Sequence, residues 1–274
     1  MRAFLICNPA AGSAPDVQGM TDRLRAFGVE LTEDAAPAER VIVVGGDGTI
    51  APGAELAARR GVPLAVVPAG TANDFARAHG LPEDIDEAIA LAADPGAPTR
   101  RLELAEMDGR PFVNVAGAGL APAAAERAKP FKRALGPTAY AAGAVMAGAS
   151  EDPIAVTATV DGQPAFAGHA WQVTVASTGA FGGGAEIDDA DPADGRLDLV
   201  VVPESSRAAL PKVALAMRRG TLTRLEEVVH RRGTEVLVHV PGQTPFNVDG
   251  EIVEAGPTVR FTVRPGAFAL LVPT

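Results

Sequence analysis

The segment Gly45-Gly46-Asp47-Gly48-Thr49 has a composition suited to binding a phosphate group. It directly follows the run Val41 to Val44, whose β-branched side chains are typical of a strand buried in a parallel sheet. Glycines let backbone N–H groups approach an anion, and the N-terminus of a following helix favours negative charge. Because Asp47 would repel a bare phosphate, its presence indicates an intervening Mg²⁺ ion or ribose hydroxyl. Read alone, the segment could also be a plain strand-to-helix turn.

Two further small, polar, glycine-containing segments follow other apolar runs. Residues 8–12 (Asn-Pro-Ala-Ala-Gly) come after the first run, and residues 68–74 come after the Leu64 to Val67 run. The carboxyl ends of parallel strands share one edge of a sheet, and ligands of such sheets bind there. The three segments together favour a nucleotide pocket over three unrelated turns.

The first hundred residues alternate strand-like and helix-like segments, which predicts an α/β domain with a doubly wound, mostly parallel sheet. The predicted strands are Phe4–Cys7, Val41–Val44 and Pro63–Val67, and the predicted helices are Asp16–Phe27, Pro52–Arg60 and Glu83–Ala93. Pro52 is expected in the first turn of its helix, where proline is favoured.

The second half is mostly β. Asp108-Gly109 and Asp161-Gly162 each separate two strand-like runs, which predicts type I′ hairpins and antiparallel strands. Helices are expected at about residues 122–128, 137–149 and 206–219, and a turn at 264–266 divides the last two strands. The segment Asp94–Pro98 is rich in turn residues, so we place the domain boundary there, giving domains 1–98 and 99–274. The final residues are free to pack back on the first domain.

The net charge and the cysteine content of the chain limit which partners and which cellular compartment are expected. The chain has 24 basic and 34 acidic side chains, a formal net charge of −10, which argues against a nucleic-acid partner. A single cysteine, Cys7, excludes an intramolecular disulfide framework and fits a reducing cytoplasm. The apolar runs predict no targeting or membrane-spanning segment.

Five motifs occur in an order that resembles the diacylglycerol kinase catalytic family, which includes soluble bacterial lipid kinases and sphingosine kinases. They are NPAAG, GGDGT, PAGTANDFAR, FGGG followed by ADPADGRLD, and NVDGE. The resemblance implies an N-terminal α/β domain, a C-terminal antiparallel β-sandwich domain with a few helices, and ATP held in the cleft between them. It implies ATP- and Mg-dependent phosphorylation of a lipid hydroxyl, with a diacylglycerol-like acceptor.

The resemblance also implies site residues. Glu251, in the D-G-E motif, corresponds to the catalytic base, and Asp47 would help to position the Mg²⁺ of ATP. A carboxylate that follows a glycine turn can accept the proton of a lipid hydroxyl during phosphoryl transfer. The implied nucleotide-binding residues are Asn8, Pro9, Ala10, Ala11, Gly12, Thr32, Gly45, Gly46, Asp47, Gly48, Thr49, Thr71 and Asn73.

The acidic run from Asp188 to Gly195 offers oxygen ligands suited to a hard cation. In bacterial relatives a structural Mg²⁺ lies at this motif, and the matching positions here are Asp191, Asp194 and the backbone carbonyl of Arg196. A solvated acidic loop is the alternative.

Two alternatives to a lipid kinase stay open. One is a kinase of a soluble acceptor, NAD or a polyol. The other is a catalytically silent nucleotide- or lipid-binding homologue, because Ala51-Pro52 and Ala121 stand where family members usually have Asn-Glu and a carboxylate. Basic residues between 127 and 133 around Phe131, and the pairs Arg218-Arg219 and Arg231-Arg232, could contact anionic headgroups, so transient peripheral membrane contact is expected. Oligomeric state is not indicated, and a homodimer stays open.

Overall fold

The computed structural model describes residues 1–8, 17–128, 148, 150–180, 186–188 and 190–274. These residues form two compact units, one of Met1–Leu104 with Arg264–Thr274 and one of Ala105–Val263. The chain changes unit within two long strands, β5 (Thr99–Met107) and β15 (Thr258–Leu271). The boundary at residue 98 stays a prediction for the functional domains, whereas the compact units change over at Leu104 and Val263.

The first unit is built on a parallel sheet with the strand order β2–β1–β3–β4–β15. The last part of β15 joins it through Leu270, which lies beside Leu64. The strands are β1 (Arg2–Cys7), β2 (Glu30–Thr32), β3 (Arg40–Gly45) and β4 (Leu64–Pro68), and the helices are α1 (Val17–Ala26), α2 (Asp47–Arg60), α3 (Asp74–Ala78) and α4 (Ile85–Ala93). The predicted α/β class with a mostly parallel sheet is confirmed.

The core of this unit explains why these segments form its elements. Met20 and Leu24, one helical turn apart on α1, are fully buried with Ile42 and Val44 of β3. Every residue of β3 is buried, as expected for a strand covered on both faces.

One predicted helix start in the first unit is wrong. Helix α2 begins at Asp47 rather than Pro52, so Pro52 lies inside the helix. Gly48 in the first turn has low helix propensity, which hides the start in the sequence. Strand β2 and helix α3 were not predicted, because both are too short to show a periodic pattern.

The second unit is antiparallel, with the strand order β14–β13–β7–β9–β8–β12–β15. Strand β10 pairs with β9 and β11, and β5 pairs with β6. The strands are β6 (Arg110–Phe112), β7 (Val115–Gly119), β8 (Ile154–Val160), β9 (Gln163–Ala176), β10 (Leu197–Pro203), β11 (Val229–Gly233), β12 (Glu235–His239), β13 (Thr244–Val248) and β14 (Glu251–Ala255). The helices are α5 (Leu120–Ala128), α6 (Leu210–Arg218) and two 3₁₀ turns, Arg207–Ala209 and Leu222–Arg224. The predicted antiparallel C-terminal class is confirmed.

The turn predicted at residues 264–266 is wrong, because β15 runs without interruption from Thr258 to Leu271. The Pro-Gly pair suggested a chain reversal, but Gly266 takes a positive φ of 55° within the strand. The predicted helix at residues 137–149 lies outside the described residues, apart from residue 148.

Three Asp-Gly turns join strand pairs of the second unit. Asp108, Asp161 and Asp249 have φ of 51°, 48° and 47°, and the glycine after each also has a positive φ. Positive φ at both central positions is the type I′ geometry that favours hairpins. The two hairpins predicted from Asp-Gly pairs are therefore present, and a third connects β13 to β14.

Each of these aspartates also exchanges two hydrogen bonds with one residue that is far away in sequence. The N–H of Asp108 donates to the carbonyl of Arg260 at 2.9 Å, and the N–H of Arg260 donates back to the carboxylate at 2.9 Å. Asp161 forms the same pair of bonds with Glu235, and Asp249 forms it with Val115. We call this arrangement the aspartate bridge. It ties each hairpin tip to a third segment of the sheet.

The core of the second unit is centred on three aromatic rings. Phe112 and Phe246 both contact Phe261, with ring centroids 6.2 and 6.0 Å apart.

None of the helices in the described part of the chain is long and apolar enough to cross a membrane.

Candidate functional site

The glycine-rich segment spans the end of β3 and the start of α2. Gly45 is the last residue of β3, Gly46 is the N-cap of α2 in an extended conformation, and Asp47 begins the helix. No side chain caps this 14-residue helix. The N-terminal N–H groups of an uncapped helix, together with the helix dipole, favour an anion such as a phosphate. The strand-to-helix geometry expected for residues 45–49 is thus present.

A second loop lies directly against this helix start. The N–H of Ala69 donates to the carbonyl of Gly45 at 2.9 Å. A Cβ atom added to Gly70 would lie only 2.5 Å from the Cα of Gly46, so the two glycine backbones touch. Any larger residue at position 70 would push the loops apart.

Asn73 fixes the shape of this second loop. It has a left-handed backbone with φ of 52°, and its side-chain carbonyl accepts the N–H of Gly70 at 2.8 Å. Asn73, predicted to bind nucleotide, is thus seen holding the loop that carries Gly70.

Asp47 connects the two loops. Its carboxylate accepts the N–H groups of Asp74 at 3.2 Å and Phe75 at 2.8 Å, which begin α3. A carboxylate at this point satisfies helix N–H groups that would otherwise lack a partner. In the described structure Asp47 therefore positions α3 against the start of α2.

Asp74 also lies in this site, although its place in the PAGTANDFAR motif did not predict a role for it. Its side chain is only 10% exposed and pairs with Arg77. Burial, followed by the nearby charge of Asp47, raises the pKa of Asp74 to about 6, although Arg77 opposes this shift. The sequence shows only that Asp74 directly follows Asn73. It does not show that Asp74 lies close to Asp47, because that contact depends on the fold.

The other predicted nucleotide-binding residues are only partly brought together. The side-chain amide of Asn8 donates to the hydroxyl of Thr49 at 3.4 Å, which links the end of β1 to α2. The hydroxyl of Thr32 donates to the carbonyl of Ala3 at 3.3 Å, within the paired strands β1 and β2. Thr71 is exposed in the second loop. The predicted residues Pro9, Ala10, Ala11 and Gly12 lie outside the described residues.

Glu55 is the acidic residue nearest in sequence to the Ala51-Pro52 departure. Its carboxylate lies 2.6 Å from Arg59 and also pairs with Arg264, and its side chain is 18% exposed. Two guanidinium groups therefore compensate its charge, and its described contacts are those of a structural ion pair.

Glu251, the predicted base, lies in the second unit as the first residue of β14. Its side chain is 56% exposed and forms an ion pair with Arg110 of β6. The aspartate bridge at Asp249 holds the preceding turn, because the buried Asp249 carboxylate also accepts the N–H groups of Val113 at 2.8 Å and Asn114 at 2.9 Å. These contacts of Asp249 fix the backbone of the turn, and the sequence motifs alone did not predict them.

Ala121, at the other departure, is the buried second residue of α5. Its N–H donates to the side-chain carbonyl of Gln172 at 2.8 Å, and the Gln172 amide donates to Thr174 at 3.0 Å. A neutral glutamine therefore holds the start of α5.

In the predicted metal-binding loop, the aspartate carboxylates accept hydrogen bonds from groups of the protein itself. The Asp194 carboxylate accepts the N–H of Arg196 at 2.9 Å and pairs with Arg232, and Asp191 accepts the N–H of Ala193 at 3.0 Å. Within the described ranges, no group of three His, Cys, Asp or Glu side chains could hold a metal ion. Asp191, Asp194 and the carbonyl of Arg196 therefore stay a prediction for a bound cation.

Comparison with known families shows two matches in chain order. The diacylglycerol kinase catalytic domain matches residues 17–104. The YegS C-terminal NAD kinase beta sandwich-like domain matches residues 114–272.

Two curated relatives agree with these matches. The chain is 30% identical over 297 residues to a probable lipid kinase YegS-like protein of Pseudomonas fluorescens, covering 99% of this chain and 95% of that protein. It is 32% identical over 217 residues to a diacylglycerol kinase of Bacillus subtilis, covering 77% of this chain and 70% of that protein.

Solved structures show the same fold. A putative diacylglycerol kinase from Bacillus anthracis str. Sterne superposes with a TM-score of 0.78 at 22% identity, covering 99% of this chain and 95% of that chain. An NAD kinase from Archaeoglobus fulgidus in complex with ATP has a TM-score of 0.54 at 15% identity, covering 100% of this chain and 94% of that one. At these identities the likeness concerns the fold alone.

Proposed function

Since the chain belongs to the diacylglycerol kinase-like family of bacterial lipid kinases, we propose that it transfers the γ-phosphate of ATP to a hydroxyl group of a diacylglycerol-like lipid. The observation that carries the proposal is the contact between Gly46 and Gly70, which places two glycine loops at the carboxyl ends of β3 and β4. That edge, in front of the uncapped α2, suits a nucleotide phosphate.

The first unit binds the nucleotide in this proposal. Backbone N–H groups at the start of α2 receive the phosphates, and Asn8 and Thr49 border them. Mg²⁺ enters with ATP as part of the substrate and neutralises phosphate charge. Asp47 and Asp74 hold the two loops in register, so that the phosphate site exists before the nucleotide arrives.

Glu251 acts as the general base in this proposal. Its carboxylate accepts the proton of the lipid hydroxyl while the hydroxyl oxygen attacks the γ-phosphorus and ADP leaves. Two features support this role: the side chain is accessible, and the rigid turn at Asp249 fixes the backbone before it. Arg110, paired with Glu251, orients the carboxylate.

The test is transfer of radiolabelled phosphate from ATP to extracted lipids by the purified chain. Glu251→Gln should lower the transfer rate by about 10² or more, because a general base contributes roughly that factor. Glu254→Gln, an exposed carboxylate on the same strand, is the matched control and should keep the parental rate. Undiminished transfer by Glu251→Gln would overturn the base assignment.

The same assay separates the alternative acceptors. NAD or a polyol replaces the lipid in parallel reactions, since the fold is also that of an NAD kinase. Phosphorylation of NAD without lipid turnover would contradict the lipid acceptor. ATP binding without transfer to any acceptor would instead favour a silent homologue.

A further inference from the structure

We propose that the outward face of α6 docks on an anionic lipid surface. This face, the basic helix face, consists of Lys212, Leu215 and Arg218 with Arg219 directly after the helix. The inference rests on the proposed function, because an enzyme whose acceptor is a membrane lipid must reach that membrane.

The inner side of α6 is packed, and its outer side carries an apolar side chain. Val213 and Ala216 are buried, and Val213 belongs to a cluster with Trp171, Val200 and Leu222. Leu215 is 48% exposed, one of only three large hydrophobic residues in the described ranges that are so exposed. Lys212 precedes Leu215 by three positions, and Arg218 and Arg219 follow it by three and four. Such spacing puts all four side chains on one side of a helix.

Charge singles out this segment within an acidic chain. Residues 207–224 contain five basic side chains and no acidic one, whereas the whole chain has a net charge of −10. Arg207 and Arg224, at the ends of this segment, pair with Asp152 and Asp188. Among the described residues, the side chains of Arg218 and Arg219 have no hydrogen bond or ion pair. Lys212 pairs with Glu227 at 2.6 Å, but both side chains are largely exposed. An exposed pair of this kind contributes little and is readily exchanged for a headgroup phosphate.

The combination of residues favours a lipid surface over an acidic protein. Lysine and arginine keep their charges at headgroup level while their methylene stems lie against apolar material. A leucine between them enters the acyl boundary, as in helices that lie in the membrane interface. Each basic side chain at an anionic surface then adds a separate, salt-sensitive increment.

The experiment is cosedimentation of the full chain with vesicles, without ATP or added acceptor. One vesicle contains phosphatidylcholine alone, and the other contains equal parts of phosphatidylcholine and phosphatidylglycerol. We expect binding only to the second vesicle, weakened by added salt. Arg218→Gln with Arg219→Gln should weaken it by about 20- to 30-fold, since each well-placed charge contributes about fivefold. Leu215→Gln should weaken it further.

Matched controls separate this face from general charge and apolar effects. Arg25→Gln with Arg60→Gln removes the same charge from the last turns of α1 and α2, and Phe27→Ser removes another exposed apolar side chain. These variants should bind like the parent, and thermal unfolding checks that all variants are folded.

Three results would overturn the proposal: equal binding to both vesicles, equal loss in the controls, or no binding at all. If the chain binds neither vesicle, an acidic protein is the remaining candidate partner for the basic helix face. Phosphate transfer to a short-chain soluble acceptor should be unchanged in the Arg218/Arg219 variant. Loss of vesicle binding with intact transfer therefore distinguishes this inference from the proposed function.

Discussion

A buried carboxylate next to another carboxylate is costly to ionise, and Asp74 is in that position beside Asp47. The folded state raises its pKa to about 6, above the usual value near 4. The folded chain therefore keeps this proton between about pH 4 and pH 6 while the unfolded chain has lost it. The free energy of unfolding should fall as the pH rises through that window, by up to about 3 kcal/mol.

Asp74→Asn removes this titration. Losing the pair with Arg77 shifts the variant's free energy of unfolding at every pH. The variant's value minus the parent's value should nevertheless rise between about pH 4 and pH 6, because only the parent loses stability in that window. Urea unfolding at several pH values measures it. Asp86→Asn, at an exposed carboxylate paired with Arg23, is the control for the loss of an ion pair. A constant difference for Asp74→Asn would contradict the assigned cause.

Gly70→Ala tests the contact between the two loops. The added methyl would lie 2.5 Å from the Cα of Gly46, so backbone must move. We expect a loss of stability of about 1–3 kcal/mol and weaker ATP binding. Thermal unfolding and calorimetric titration with ATP measure the two effects.

The control for this substitution is Gly96→Ala. A methyl there would meet only the Asp94 carboxylate, at an ordinary 3.5 Å. Gly96→Ala should therefore bind ATP like the parent, and unchanged ATP binding in Gly70→Ala would remove Gly70 from the site.

At the residue scale, the motifs predicted which segments carry the site but not what their side chains do. Gly45 to Thr49 and the loop at residues 68–74 do meet, as their places after parallel strands suggested. The roles of Asn73, Asp74 and Asp249 depend on partners far away in sequence or on left-handed backbone. A single sequence does not reveal such partners.

The hairpin tips at Asp161 and Asp249 share the aspartate bridge, but only one of them precedes the proposed base. The carboxylates of Asp161 and Asp249 each accept two or more backbone N–H groups. Removing the buried Asp249 acceptor should cost about 1–3 kcal/mol, whereas removing the exposed Asp161 acceptor should cost less, because water can replace it. Only the Asp249 turn leads into Glu251.

Asp249→Ala should therefore lose more stability than Asp161→Ala, and the two variants should also differ in activity. Phosphate transfer, measured at a temperature where both variants stay folded, should fall in Asp249→Ala and stay near the parental rate in Asp161→Ala. Equal activity in both would mean that the turn does not position Glu251. For Asp161, the backbone N–H of Glu235 lowers the carboxyl pKa, so its stabilisation is lost at acid pH.

At the element scale, turn geometry could be predicted from the sequence, whereas the residues at which helices and strands end could not. Asp-Gly pairs predicted two type I′ hairpins because both positions need positive φ. Pro52 and Gly266 were misleading, since α2 and β15 continue through residues that usually end elements. Packing on neighbouring strands outweighs these local preferences.

The C-terminal strand completes the sheet of the first unit. Leu270 is fully buried beside Leu64. Leu270→Ala should therefore reduce the free energy of unfolding by about 2–5 kcal/mol. Leu215→Ala, on an exposed helix face, is the control and should change it by at most about 0.5 kcal/mol. Urea unfolding measures both, and equal effects would contradict a structural role for the last strand.

At the scale of the whole molecule, the class of both halves followed from periodicity and turn chemistry. Alternating strands and helices indicated the parallel sheet, and Asp-Gly turns indicated the antiparallel one. The return of residues 264–274 to the first unit could only be left open, because pairing of β15 with β4 links residues about two hundred positions apart. Long-range pairing leaves no local pattern.

The aspartate bridges also bear on the order in which the chain can be completed during synthesis. Hairpin tips ordinarily close from neighbouring residues alone, within microseconds. Here the tip at Asp108 needs Arg260, which leaves the ribosome 152 residues later, and Asp161 needs Glu235, 74 residues later. The aspartate bridges of the earliest hairpins can thus form only after the later strands have been made. A nascent chain that stops before residue 260 lacks the partner of Asp108, so this tip is held by its local hairpin bonds alone until Arg260 is added.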